Sequence, residues 1–185
     1  MVEIDADAGL TPTGPATILL HKPVHVAFAG SGALVTPETH ARIDPSGWRI
    51  QVRHFAGLTS LMPLDADASG LVVLSQDARV RRRLTEDAAQ LEQEFMVGAS
   101  GTDTLSRLAR GLRHRGRALP ACNVSWQNES QLRFAIKNVR PGQVRHMCRE
   151  VGLEATTIKR VRIGRISLGK MPPGHWRYMP SIDRF

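Results

Sequence analysis

The chain has 185 residues, is 42% apolar, and carries 25 Lys+Arg against 17 Asp+Glu, a formal net charge of +8. That length suits one compact domain with a core large enough to need neither disulfides nor a structural metal. The positive balance points to a polyanionic partner, because a basic surface gains free energy by releasing counterions from a phosphate backbone. Cys122 and Cys148 are far apart and form no CxxC, which argues against a disulfide framework or a zinc site and fits thiols in a reducing cytosol. No apolar stretch reaches the ~20 residues of a membrane helix, and the first residues carry Glu3, Asp5 and Asp7 instead of a basic leader. A cytoplasmic protein with no membrane partner is expected.

Residues 1–16 are rich in Gly, Pro and Thr and read as a loose arm. Ala16–His21 is a short apolar run closed by Lys22-Pro23, as a buried strand meeting a turn would be. Residues 29–47 show no periodicity. Trp48–Val52 alternates polar and apolar like a half-buried strand. After the loop LMPLDADASG, Leu71–Leu74 reads as a buried strand. Asp77 sits at the N-cap position of a helix over Ala78–Leu84.

Leu91–Val97 reads as a strand. Asp103–Leu112 places Leu105, Leu108, Ala109 and Leu112 on one helical face. Strands follow near Ala121–Gln127 and Gln131–Lys137. A second clear helix spans Gly142–Val151, with Val144, Met147, Cys148 and Val151 as its buried stripe and Gly152 at its end. Thr156–Leu168 alternates again. Several strands are joined by short connections, which favours an α+β fold: a mixed, largely antiparallel sheet with packed helices.

The positive charge is patterned. Residues 137–170 hold nine Lys/Arg against Glu150 and Glu154, residues 79–83 add Arg79, Arg81, Arg82 and Arg83, and residues 107–117 add five more arginines. Arg145 and Arg149 lie at i, i+4 and share a helix face. Any one of these arginines reads equally well as a solvated surface charge. Three arginine-rich elements together suggest a shared anionic surface, since the guanidinium fork pairs with phosphate and stacks on bases.

Alone, Leu64-Asp65-Ala66-Asp67-Ala68-Ser69-Gly70 is an ordinary turn sequence. Asp65 and Asp67 also suggest paired acid–base carboxylates or a magnesium site, but no other acid is placed to complete either, so no metal is expected. Beside other segments the stretch becomes informative. ILLHKP (Ile18–Pro23), Leu64-Asp65 with Gly70, LVVL and Ser75-Gln76-Asp77, then Gln93–Val97, follow one another in the chain. Gln143-Val144-Arg145-His146-Met147, Gly152, RVRIG (Arg160–Gly164) and Gly174-His175-Trp176-Arg177 follow these. In order and spacing this series resembles the RsuA-type pseudouridine synthases across residues 17–179. MCREVG and RISLGKMPPGHWR look closest to the RluF-like subgroup.

The resemblance implies the pseudouridine synthase fold over residues 17–185. It further implies isomerisation of uridine to pseudouridine in structured RNA, with ribosomal (large-subunit) RNA as the expected partner and transfer RNA as a second. No cofactor is implied, and a monomer is expected. Asp65 is the implied nucleophile, and Arg145 is the expected partner that orients it by an ion pair. Phe95 would stack on a uracil flipped out of its helix. Arg140, Lys22, Gln143 and Arg149 would contact the RNA. Family members often carry a small N-terminal RNA-binding domain; about 16 residues before Thr17 are too few to fold as one, so the catalytic domain alone is expected.

Four positions depart from the family pattern. Pro63 stands for Arg, Ala68 for Thr, Gln93 for Lys and Phe95 for Tyr. These keep open a second reading, a non-catalytic RNA-binding or ribosome-assembly module on the same scaffold. A hydrolase built on Asp65 and Asp67 is a distant third.

Overall fold

The computed structural model describes residues 14–101, 105–109, 112–114, 116–180 and 183–185. Most of the loose arm expected over 1–16 lies outside these residues, as do Arg110 and Arg115. The strands are β1 (Thr17–Lys22), β2 (Thr59–Leu61), β3 (Ser69–Ser75), β4 (Glu92–Ser100), β5 (Arg113–His114), β6 (Arg117–Ala118), β7 (Asn123–Asn128), β8 (Gln131–Lys137), β9 (Glu154–Ile163), β10 (Ile166–Ser167) and β11 (Trp176–Tyr178). The helices are α1 (Ala78–Thr85), α2 (Leu105–Ala109) and α3 (Gln143–Glu150). The helix expected over Asp103–Leu112 is thus described only in its centre.

The main sheet runs β11-β1-β3-β9-β4-β8-β7, with β2 on β3 and β10 on β9. Every pairing is antiparallel except β3 with β9, which meet in parallel over Ser69↔Lys159 and Gly70↔Arg160 alone. The sheet is therefore two antiparallel halves joined at a short parallel seam. The mixed, largely antiparallel α+β architecture expected from the sequence is the one observed.

The continuous apolar runs of β1 and β3 follow from burial on both faces. Ile18, Leu20, Val72 and Leu74 enter one core, and Leu19, Leu71 and Val73 enter the other. α3 packs on the first face through Val144, Met147 and Cys148. α1 covers the second with Leu84 and Val80. Asp77 caps α1 by accepting from the backbone N–H of Arg79 at 2.8 Å, the cap its side chain is suited to form.

This placement corrects the idea of one arginine-rich surface, because α1 and α3 occupy opposite faces. Three of the four arginines of α1 also have acidic partners nearby: Arg79 pairs with Asp77, Arg82 with Glu86 and Arg83 with Asp87. On the sheet, Arg162 pairs with Glu92 and Glu94, and Arg133 with Glu94, as a cross-strand ladder. Among the described residues the β5–β6 hairpin does reach α3, where the His146 Nε2 lies 2.7 Å from the Arg113 carbonyl and its ring 4.6 Å from that of His114.

The strand expected at Trp48–Val52 is not formed. Residues 48–51 are irregular, Val52–Phe55 is a 3₁₀ turn, and Val52 is 89% exposed. Its alternation has no neighbouring strand to pair with. Trp48 instead packs against Tyr178 and His54, with ring centroids 5.2 and 5.3 Å away.

Candidate active site

Asp65 lies at the seam. A turn closed by the Ala68 N–H to the Asp65 carbonyl (3.1 Å) feeds directly into β3. Ala68, fully buried, anchors that turn in the first core. The carboxylate Oδ2 of Asp65 accepts the backbone N–H of Gly142 at 2.8 Å. Gly142 is the N-cap of α3, with φ +76, a left-handed conformation that glycine adopts without steric cost. Asp65 is half-buried and faces the start of a helix, where the first N–H groups lack intrahelical partners and favour an anion.

Beside the carboxylate is a cavity of about 10 Å³ lined by Pro63, Leu64, Phe95, Arg140, Val144 and Ile158, among others. The structure thus gathers Asp65, Phe95 and Arg140 from three separate segments. Phe95 is buried on the core face of β4, while Arg140 is exposed at the rim. The cavity holds about one water molecule. The wall segment Val139–Pro141 lies between two positive-φ residues, Asn138 (φ +53) and Gly142.

Several expected contacts are placed differently. Arg145 does not reach Asp65. Its Nη2 pairs with Asp67 Oδ2 at 2.6 Å and its Nη1 donates to the Ala155 carbonyl at 2.7 Å. The turn Asp65–Ala68 sends its two carboxylates to different partners, one to a helix N-terminus and one to a guanidinium. Gln143 is fully buried, its Oε1 accepting from the Arg140 N–H at 3.1 Å, so it braces the start of α3 and is not exposed to RNA. Arg149 is exposed at the C-terminal end of α3.

Lys22 is also buried, and not available to a phosphate. Its Nζ donates to the carbonyls of Pro23 (2.9 Å), Val26 (2.9 Å) and Ala66 (3.2 Å). Burial pushes its pKa down, while Asp67 and Asp65 pull it up. Lys22 therefore ties the exit of β1 to the Asp65 turn. Lys22→Met should lower stability by about 2 kcal/mol, because three carbonyls lose their donor. Urea unfolding measures this, and a variant as stable as wild type but with a shallower salt dependence of RNA binding would restore the phosphate role.

The residue that sequence reasoning missed is Arg160. It is 1% exposed, and its guanidinium meets the backbone on both sides of Asp65. A signal was present: Arg160 sits two residues after Ile158, in phase with the buried side of its strand.

The sheet of two joined halves is the pseudouridine synthase fold, and it holds the Asp65 carboxylate at a helix N-terminus beside a cavity that Phe95 lines. A structure described as pseudouridylate synthase superposes with a TM-score of 0.74, over 90% of this chain and 70% of that one, at 19% identity. An H/ACA RNP bound to a substrate RNA aligns at a TM-score of 0.52, over 80% of this chain and 47% of that one, at 12% identity. No protein-family model matches the chain.

By sequence the chain is 28% identical over 181 residues to ribosomal small subunit pseudouridine synthase A of Vibrio cholerae, covering 94% of this chain and 74% of that protein. It is 27% identical over 140 residues to the dual-specificity RNA pseudouridine synthase RluF of Salmonella typhi, covering 72% and 48%. It is 28% identical over 135 residues to ribosomal large subunit pseudouridine synthase E of Vibrio parahaemolyticus, covering 62% and 57%. The chain thus spans about half the length of the latter two. By sequence and fold it is similar to the RsuA/RluF-type RNA pseudouridine synthases.

Proposed function

We propose that this chain isomerises uridine to pseudouridine in structured ribosomal RNA, with Asp65 as the nucleophile and residues 17–185 as the catalytic unit. The observation that carries this reading is the Asp65 carboxylate, oriented by the Gly142 N–H at the edge of the Phe95 cavity. The reaction breaks the C1′–N1 bond, turns the uracil and joins C1′ to C5; the C5 proton leaves to solvent and N1 takes one up, so the product is an isomer of the substrate. Asp65 supplies the carboxylate that attacks or stabilises the sugar–base junction. Phe95 supplies the face against which the flipped base rests. Arg140 and Arg149 meet phosphates. Displacement of Val139–Pro141 admits the base, and the reaction takes place in the cytoplasm on a monomer.

Large-subunit RNA is the expected substrate, and small-subunit RNA is tested beside it because relatives are named for both subunits. The test is tritium release from C5-labelled uridine in ribosomal and transfer RNA transcripts. Release confined to ribosomal transcripts is the expected outcome. Salt-dependent RNA binding with no release on any cellular RNA would favour the second reading, a non-catalytic RNA-binding module. The engagement of Arg145 by Asp67 and the water-sized cavity are the observations on its side.

A further inference from the structure

Arg160 carries a charge deep in the protein with, among the described residues, no carboxylate in ion-pair contact. A buried cation is costly unless its donors are satisfied. Here every guanidinium nitrogen finds an acceptor, on the loop before Asp65, on β3 or on β4. Nε donates to the Leu71 carbonyl at 2.8 Å, Nη2 to the Met62 carbonyl at 2.7 Å, and Nη1 to the Pro63 carbonyl at 3.2 Å and to Gln93 Oε1 at 2.9 Å. Met62 and Pro63 precede Asp65, and Leu71 follows the turn. Met62 has φ +61, a strained conformation for a non-glycine residue, and it stands just before a proline, which disfavours helical backbone there. The guanidinium holds that carbonyl in place.

The backbone of Arg160 acts on the same loop. It pairs with Gly70 at the parallel seam so closely that a Cβ on Gly70 would lie 2.2 Å from the Arg160 carbonyl oxygen. Burial pushes the Arg160 pKa down to about 9, and the nearby Asp65 pulls it the other way, so the group remains charged at neutral pH.

We propose that Arg160 is a positioning residue for Asp65. Its planar fork clamps the entry and exit of the catalytic loop to β9, and its fixed charge stands in for the arginine that Pro63 replaces. A lysine is a point charge on a flexible stem and cannot span the four acceptors. Gln93, at the position of the family lysine, completes the clamp as an acceptor that a lysine could not provide. The proposal rests on the reading of Asp65 as the nucleophile.

The experiment compares wild type, Arg160→Lys and Gln93→Met. It uses single-turnover tritium release, RNA affinity by filter binding, and hydrogen–deuterium exchange of residues 60–72 against β8 as internal control. Arg160→Lys should bind RNA as wild type does and react about 100-fold more slowly, the usual consequence of a misplaced reacting group. Exchange should rise in 60–72 and not in β8. Gln93→Met leaves the guanidinium in place but removes one acceptor, and should slow the reaction about tenfold, the worth of one hydrogen bond to a charged group.

A merely structural arginine predicts that rate and melting temperature fall together, and that Gln93→Met is silent. If Arg160→Lys does not fold, Gln93→Met decides: a wild-type rate with wild-type loop protection overturns the proposal. If wild type itself releases no tritium from any RNA, the isomerase reading falls. The clamp is then judged on exchange alone, and unchanged protection in both variants overturns it.

Discussion

Asp65→Asn should abolish tritium release, by at least about 1000-fold in the single-turnover rate, as loss of a catalytic nucleophile does. The asparagine keeps an oxygen that can accept the Gly142 N–H, now at 2.8 Å from the carboxylate, so the start of α3 stays anchored. Stability should change by less than about 1 kcal/mol. RNA affinity should hold or rise slightly, because a negative charge leaves a surface that meets phosphates. Asp65→Ala removes the acceptor as well. It should lose release equally and cost about 1 kcal/mol more, from the unmet N–H. The pair of variants separates chemistry from folding. Release at the wild-type rate from Asp65→Ala would show that another group carries the reaction, and the assignment of Asp65 would be withdrawn.

The loop around Asp65 also shows where sequence reading reaches its limit. β3 was legible as LVVL because a strand buried on both faces is apolar throughout, and α1 and α3 were legible from caps and helical spacing. These are local patterns. β2 was not legible, since three residues carry no period. WRIQV had the period but lacked a partner strand. The site residues divide in the same way. Asp65, Phe95 and Arg140 come from three separate segments and border one cavity.

The charged residues around them could not be placed from sequence. Two carboxylates two residues apart compete for Arg145, and the turn at Asp65–Ala68 decides for Asp67. Lys22 and Arg160 look like surface cations in a basic chain. Both are buried, and each donates to at least one carbonyl of the Asp65 loop, Lys22 to Ala66 and Arg160 to Met62 and Pro63. Burial of a cation depends on which acceptors the fold brings together, and that is a tertiary property.

Gly70→Ala should be the most damaging single methyl in the chain's motif region, at about 4 kcal/mol or more, and should leave little folded protein. In the sequence Gly70 reads as part of an ordinary turn. In the structure its φ is +117, and a Cβ would meet the Arg160 carbonyl oxygen at 2.2 Å, its nitrogen at 2.5 Å and its carbonyl carbon at 2.8 Å. All three are backbone atoms of a central strand, so no side chain can swing aside. Relief requires β3 and β9 to part at the two residue pairs that join the halves of the sheet. Parting them also pulls the Leu71 carbonyl from Arg160, so the loop that delivers Asp65 loses its clamp together with the seam. Gly142→Ala is the control: it has φ +76 but open space around the added methyl, and should cost only the roughly 1–2 kcal/mol of left-handed strain. Urea midpoints of the two variants test this directly. A Gly70→Ala protein no less stable than Gly142→Ala would mean that the strain at the seam is conformational alone, and that the close approach of the two backbones is not what glycine serves there.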